Sequence, residues 1–147
     1  MSKSFQHVAR FIPLMVLAVA LLAACGGGGN AASGGSPVQV QVTLTDFKID
    51  SSLTTFSVGV PYHFVVTNKG AVAHEFVIMP PEQGAQGSET QLPSTALAGI
   101  LGKDLTPGTT KTLDYTFTQA APAGKLEFAC HLPGHYEAGM HTPIVVQ

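Results

Sequence analysis

The sequence predicts an all-β fold, an antiparallel β-sandwich over residues 38–147. Three observations predict it. Residues 38–45 (Val-Gln-Val-Gln-Val-Thr-Leu-Thr) alternate apolar and polar strictly over eight positions, the period of a half-buried strand. Similar short alternating stretches recur along the chain, separated by Gly and Pro turns. Helical periodicity is scarce. The chain has 147 residues, 45% of them hydrophobic and 11% charged, with mean hydropathy +0.27. Such a composition excludes an intrinsically disordered protein, and the length fits one domain with appendages.

The chain opens with Lys3, His7 and Arg10, followed by a 14-residue apolar run from Phe11 to Ala24. A membrane span needs about 17–25 residues, so the run fits a signal-peptide core instead. It ends in Leu22-Ala23-Ala24-Cys25, which resembles a bacterial lipobox. The resemblance implies removal of residues 1–24 and lipid on the Cys25 thiol. The protein would then sit in the bacterial cell envelope, membrane-anchored and facing the periplasm or the exterior. An ordinary secretory signal with a chance cysteine is the alternative. With Cys25 lipidated, Cys130 stands alone and no disulfide is expected. Residues 26–37 are half glycine and read as a tether spanning roughly 20 Å as a flexible coil, leaving 38–147 as the folded domain.

Within that domain, Phe56, Val58 and Val60 alternate, as do Tyr62, Phe64 and Val66 after Pro61. Asn68-Lys69-Gly70 marks a turn, and residues 74–78 resume as a strand that Pro80-Pro81 stops. Thr106-Pro107-Gly108-Thr109 is a second turn, followed by strands around 112–118 and 125–130 and a closing strand over 143–147. Residues 82–103 are expected as a long surface excursion, with a two-turn helix over 95–101. From Cys25 onward five Lys face nine Asp and Glu, a net charge of −4 with no Arg. No basic surface for nucleic acid follows from that balance.

Chemistry concentrates in residues 128–141, Phe-Ala-Cys-His-Leu-Pro-Gly-His-Tyr-Glu-Ala-Gly-Met-His. Cys130, His135 and Met140 are spaced C-x4-H-x4-M. A thiolate, imidazoles and a long axial thioether make a trigonal electron-transfer copper site, and Pro133-Gly134 lets the loop turn back on one metal. A second imidazole must come from elsewhere, and His74 opens an upstream strand. Strand alternation turns His131 away from Cys130. His141 is expected to face solvent and His63 the sheet exterior.

These residues, together with 62–68, 74–76, 105–108 and 115–117, resemble the cupredoxins, the blue copper family of plastocyanin, azurin and rusticyanin. The ligand spacing is most like that of rusticyanin. The resemblance implies an eight-stranded Greek-key sandwich and one copper per chain, cycling between Cu(I) and Cu(II). It implies His74, Cys130, His135 and Met140 as ligands, and an apolar patch around His135 (Leu132, Pro133, Ala138, Gly139) where a redox partner docks transiently. Many members carry Asn or Ser after the first histidine; this chain has Glu75, which bears on colour and reduction potential.

The expected function is that of a monomeric, lipid-anchored carrier of single electrons. No enzymatic activity is expected, and with no Ser-His-Asp or paired-carboxylate arrangement evident, hydrolysis has no support. Two alternatives stay open. One is a copper-binding protein for tolerance or delivery, with His131 and His141 as extra ligands. The other is a structural zinc site of Cys130 and three histidines, which would leave Met140 without a task.

Overall fold

In the computed structural model, the described residues are 35–82 and 87–147. The expected signal peptide, the lipidated Cys25 and most of the tether lie outside them. Among the described residues nine strands build two sheets. The first contains β1 (Val38–Thr45), β2 (Lys48–Ser51), β4 (Pro61–Asn68) and β7 (Thr110–Thr116) in the order β2-β1-β4-β7. The second contains β3 (Thr55–Phe56), β5 (Phe76–Met79), β6 (Ala98–Ile100), β8 (Ala121–Ala129) and β9 (His141–Val146) in the order β3-β9-β8-β5-β6. The β-sandwich is therefore present, but its sheets are mixed rather than antiparallel. β1 runs parallel to β4, and β3 parallel to β9.

The period-2 residues close the sandwich. Val40, Val42 and Leu44 of β1 and Tyr62, Phe64 and Val66 of β4 are buried, while their neighbours face outward. They meet Phe76, Phe128 and Ile144 of the opposite sheet in one cluster. Phe56, Phe64, Phe76, Phe117 and Phe128 form a continuous run of tilted and edge-to-face rings, with Phe76 and Phe128 centred 4.9 Å apart and Phe56 and Phe117 5.0 Å apart. Each such pair adds about 0.5–1.5 kcal/mol to the burial of its area.

The chain departs from expectation in three places. The alternation at Phe56, Val58 and Val60 yields only the two-residue β3, because Gly59 turns the backbone at φ 76° and leaves Val58 exposed. β2, which no sequence signal marks, pairs antiparallel with β1 across the turn Asp46-Phe47. The expected helix over 95–101 is absent. Ala98–Ile100 instead adds an edge strand to β5, with Phe76 opposite Ile100. Gly99 permits this approach, since a Cβ there would lie 2.8 Å from the Phe76 carbonyl oxygen. A two-turn helix is too short to stand without a partner, and strand pairing supplies one. The same excursion covers β5 from outside: Leu92 and Ala96 pack on Val77 and Met79, so all four β5 residues are buried.

Candidate metal centre

Two loops at one end of the sandwich bring the donors together. The first follows β4. The buried Asn68 side chain donates to the carbonyls of Val72 (2.8 Å) and Leu105 (2.7 Å) and accepts from Gly70 N–H (2.8 Å). These bonds stiffen residues 69–73, and His74 N–H donates to Leu105 O at 3.2 Å. His74 and Glu75 are fully buried and precede β5 rather than beginning it.

The second loop follows β8 and folds back on itself. Cys130 N–H donates to Met140 O (3.0 Å), Met140 N–H to His135 O (3.0 Å), and His135 N–H to Leu132 O (3.0 Å). Backbone bonds thus tie the three residues of the C-x4-H-x4-M spacing to one another independently of any metal. Gly134 (φ 83°) and Gly139 (φ 94°) supply the left-handed positions this closure needs. The loops are joined at the thiol: Glu75 N–H donates to Cys130 Sγ (3.4 Å), and Glu75 Oε1 accepts from His131 N–H (2.7 Å).

One ligand atom each from His74, Cys130 and His135 lies within 4.8 Å of the others, the single such group of three among the described residues. The two Nδ1 atoms are 3.2 Å apart, and Cys130 Sγ is 3.3 Å from His135 Nδ1. Met140 is fully buried in the same core cluster as Cys130. Burial lowers the pKa of both imidazoles, against an opposing pull from Asp46. Both rings are therefore neutral at pH 7 and keep a lone pair for a metal. Burial also pushes the Cys130 thiol up to about 12, so in the metal-free protein it stays protonated and unreactive. A soft thiolate, two neutral imidazoles and a buried thioether are the donor set copper prefers. Structural zinc through Cys130 and three histidines lacks its third imidazole in this group.

Two neighbours that sequence reasoning missed hold the imidazoles. Asp46 Oδ1 lies 3.3 Å from His74 Nε2, so the carboxylate accepts the Nε2 proton and leaves Nδ1 as the donor atom. Phe47 sets its ring edge-to-face with His135, at 5.3 Å and 85°. Only the Asp-Phe pair after the alternating stretch 38–45 would have pointed to this turn, and Phe47 stands where the usual Asp-Gly hairpin has its glycine. His135 itself is half-buried beside a groove of about 400 Å³ lined by Val72, Ala73, Ser88, Glu89, Leu132 and Pro133. The expected apolar patch is thus only partly realised. Pro133, Ala138 and Gly139 are exposed, whereas Leu132 is buried.

The remaining histidines are placed elsewhere. His131 and His141 each stack on Tyr136, at 4.3 and 4.6 Å. Tyr136 hydrogen-bonds Glu127, whose carboxylate also lies 3.3 Å from His141 Nδ1. His63 faces Asp114 at 2.6 Å on the outer side of the first sheet.

Fold and site together define a class: the chain has the cupredoxin fold, with a His-Cys-His-Met site. It superposes on a reduced auracyanin from Roseiflexus castenholzii with TM-score 0.60 and 21% identity, over 77% of this chain and 99% of that one. Rusticyanin from Thiobacillus ferrooxidans gives 0.55 and 18%, over 77% and 79%. In sequence the chain is similar to proteins described as copper-resistant cuproprotein CopI. The one from Rubrivivax gelatinosus is 32% identical over 111 residues, 74% of this chain and 66% of that protein. The one from Pseudomonas aeruginosa is 27% identical over 179 aligned positions, 94% and 97% of the two chains. The chain thus spans just under two thirds of the length of the Rubrivivax relative. No family model matches it.

Proposed function

We propose that this chain is an envelope copper protein that keeps one copper at His74, Cys130, His135 and Met140 and serves copper tolerance. The convergence of two imidazole Nδ1 atoms and one thiol on a common point carries the reading. When bound, copper supplies a one-electron couple. The chain's own residues do the rest. The closed 130–140 loop and the Asn68-braced 69–73 loop set the donors in place before loading, so little has to move between oxidation states. Burial excludes water from Cys130 and Met140, and the half-exposed His135 edge offers the route toward a transient partner. The names of the similar proteins supply the process, copper resistance; lipid on Cys25 would hold the domain at the membrane.

The half-exposed His135 beside its groove also favours a second reading, in which single-electron transfer to a partner is the physiological task. Both readings hold the metal as a resident group. A tolerance protein that instead carries copper as cargo would need more sites or easy release. Copper titration of the full chain separates these cases. A resident site takes one copper and keeps it through reduction and reoxidation beside a Cu(I) chelator. Uptake of several coppers, or loss on the first reduction, would contradict residence.

A further inference from the structure

Phe47 is the one non-glycine residue with positive φ (63°) among the described residues. A bulky side chain in that region is a backbone outlier, at a hairpin position where glycine or Asn would sit without strain. The core does not explain it, because the residue is 46% exposed. Its ring contact is His135, met edge-on at 5.3 Å. The residue before it, Asp46, holds His74 Nε2 at 3.3 Å and accepts from Ala71 N–H at 2.9 Å. The pairing of Thr45 with Lys48 leaves these two residues as the whole turn. A single strained turn therefore touches both imidazoles of the site, from two strands that supply no ligand.

We propose that Asp46-Phe47 is a clamp on the two histidines, in which Asp46 orients His74 and the Phe47 ring closes the exposed edge of His135 against loss of copper. The proposal rests on the copper reading above. A strained backbone persists where surrounding structure holds it and where it serves a site. A ring standing over the half-buried imidazole hinders both the swing of His135 away from the metal and the approach of a competing ligand. An ordinary hairpin cap would need neither the ring nor its aim.

The test uses the purified full chain as wild type, Phe47→Ala and Phe47→Gly. Both substitutions remove the ring, but only glycine relieves the left-handed backbone. Copper transfer from the reduced protein to a Cu(I) chelator should quicken by about two- to tenfold in both variants, the range an aromatic pair is worth. Metal-free Phe47→Gly should unfold at a higher temperature than metal-free Phe47→Ala, which separates the ring's role from the backbone's. In the metal-free protein, the His135 ring-proton resonances should shift in both variants while those of His141 stay in place. Wild-type release rates in both variants would overturn the retention role alone, and unshifted His135 resonances would overturn the clamp itself. A wild type that takes up no copper would overturn the copper reading and retention together, and the resonances would still decide whether the clamp exists.

Discussion

Two pairs of histidines meet in and around one loop, residues 130–140, and the protein treats them oppositely. His74 and His135 turn Nδ1 atoms toward each other at 3.2 Å with a thiol beside them. His131 and His141 instead lay their rings on the phenol of Tyr136. At the first place the space between imidazoles is bounded by donor atoms; at the second it is occupied by a side chain that donates to Glu127. Counting histidines therefore overstates ligands. What the ring nitrogens face decides which ones can take a metal.

Tyr136→Ala should expose the difference most strongly. Removing this buried ring deletes both stacks and the hydrogen bond to the buried Glu127, and should cost about 3–5 kcal/mol in chemical denaturation of the metal-free protein. Copper stoichiometry should stay at one. If the stacked pair were itself a metal site, opening it would instead change copper uptake.

The next effect lies between the two regions, at Glu75. Burial raises its carboxyl from 4.5 to about 7, opposed by the His131 N–H bond. Because the folded-state value is raised, the protonated form is the one the fold favours. That contribution is complete below about pH 4.5 and is lost as pH climbs through about 7. It amounts to at most roughly 3–4 kcal/mol at 1.36 kcal/mol per pH unit. Metal-free wild type should therefore lose stability from pH 4.5 to 7 relative to Glu75→Gln, whose side chain stays neutral. Parallel pH profiles for the two would show that Glu75 is not held protonated by burial.

The smallest effect is expected from the stacked histidines. His141 is partly exposed and its 3.3 Å contact with Glu127 is open to water on that side, so His141→Ala should cost under about 1 kcal/mol. The double variant His131→Ala/His141→Ala should bind one copper with an unchanged visible band. A fall in stoichiometry would reinstate these residues as ligands and the cargo reading with them.

How far the sequence carried this picture differs between the same two regions. β1 and β4 were legible residue by residue, because each presents one face to the core and the period-2 pattern records it. Cys130, His135 and Met140 were legible because one short loop carries them at a fixed spacing. The grip on their neighbours was not. Asp46 and Phe47 lie 25 or more residues from either histidine, and their roles depend on β1 and β2 meeting at that end of the sandwich. Tyr136 was hidden differently: its spacing to His131 and His141 is plain, but stacking rather than ligation is settled only by which side of the loop each ring takes. The helix expected over 95–101 failed because Ala, Leu and Ile at those positions suit a helix, while the open edge of β5 offered hydrogen bonds no local propensity could report.

The most direct test of the central claim is the visible spectrum of the Cu(II)-loaded chain beside that of Cys130→Ser. Convergence of Cys130 with two imidazoles predicts an intense thiolate-to-copper band in the wild type, which the serine variant loses because a hydroxyl cannot supply the covalent donor. A wild type that holds copper without that band, or a band that survives in Cys130→Ser, would contradict the assignment of Cys130 as a ligand.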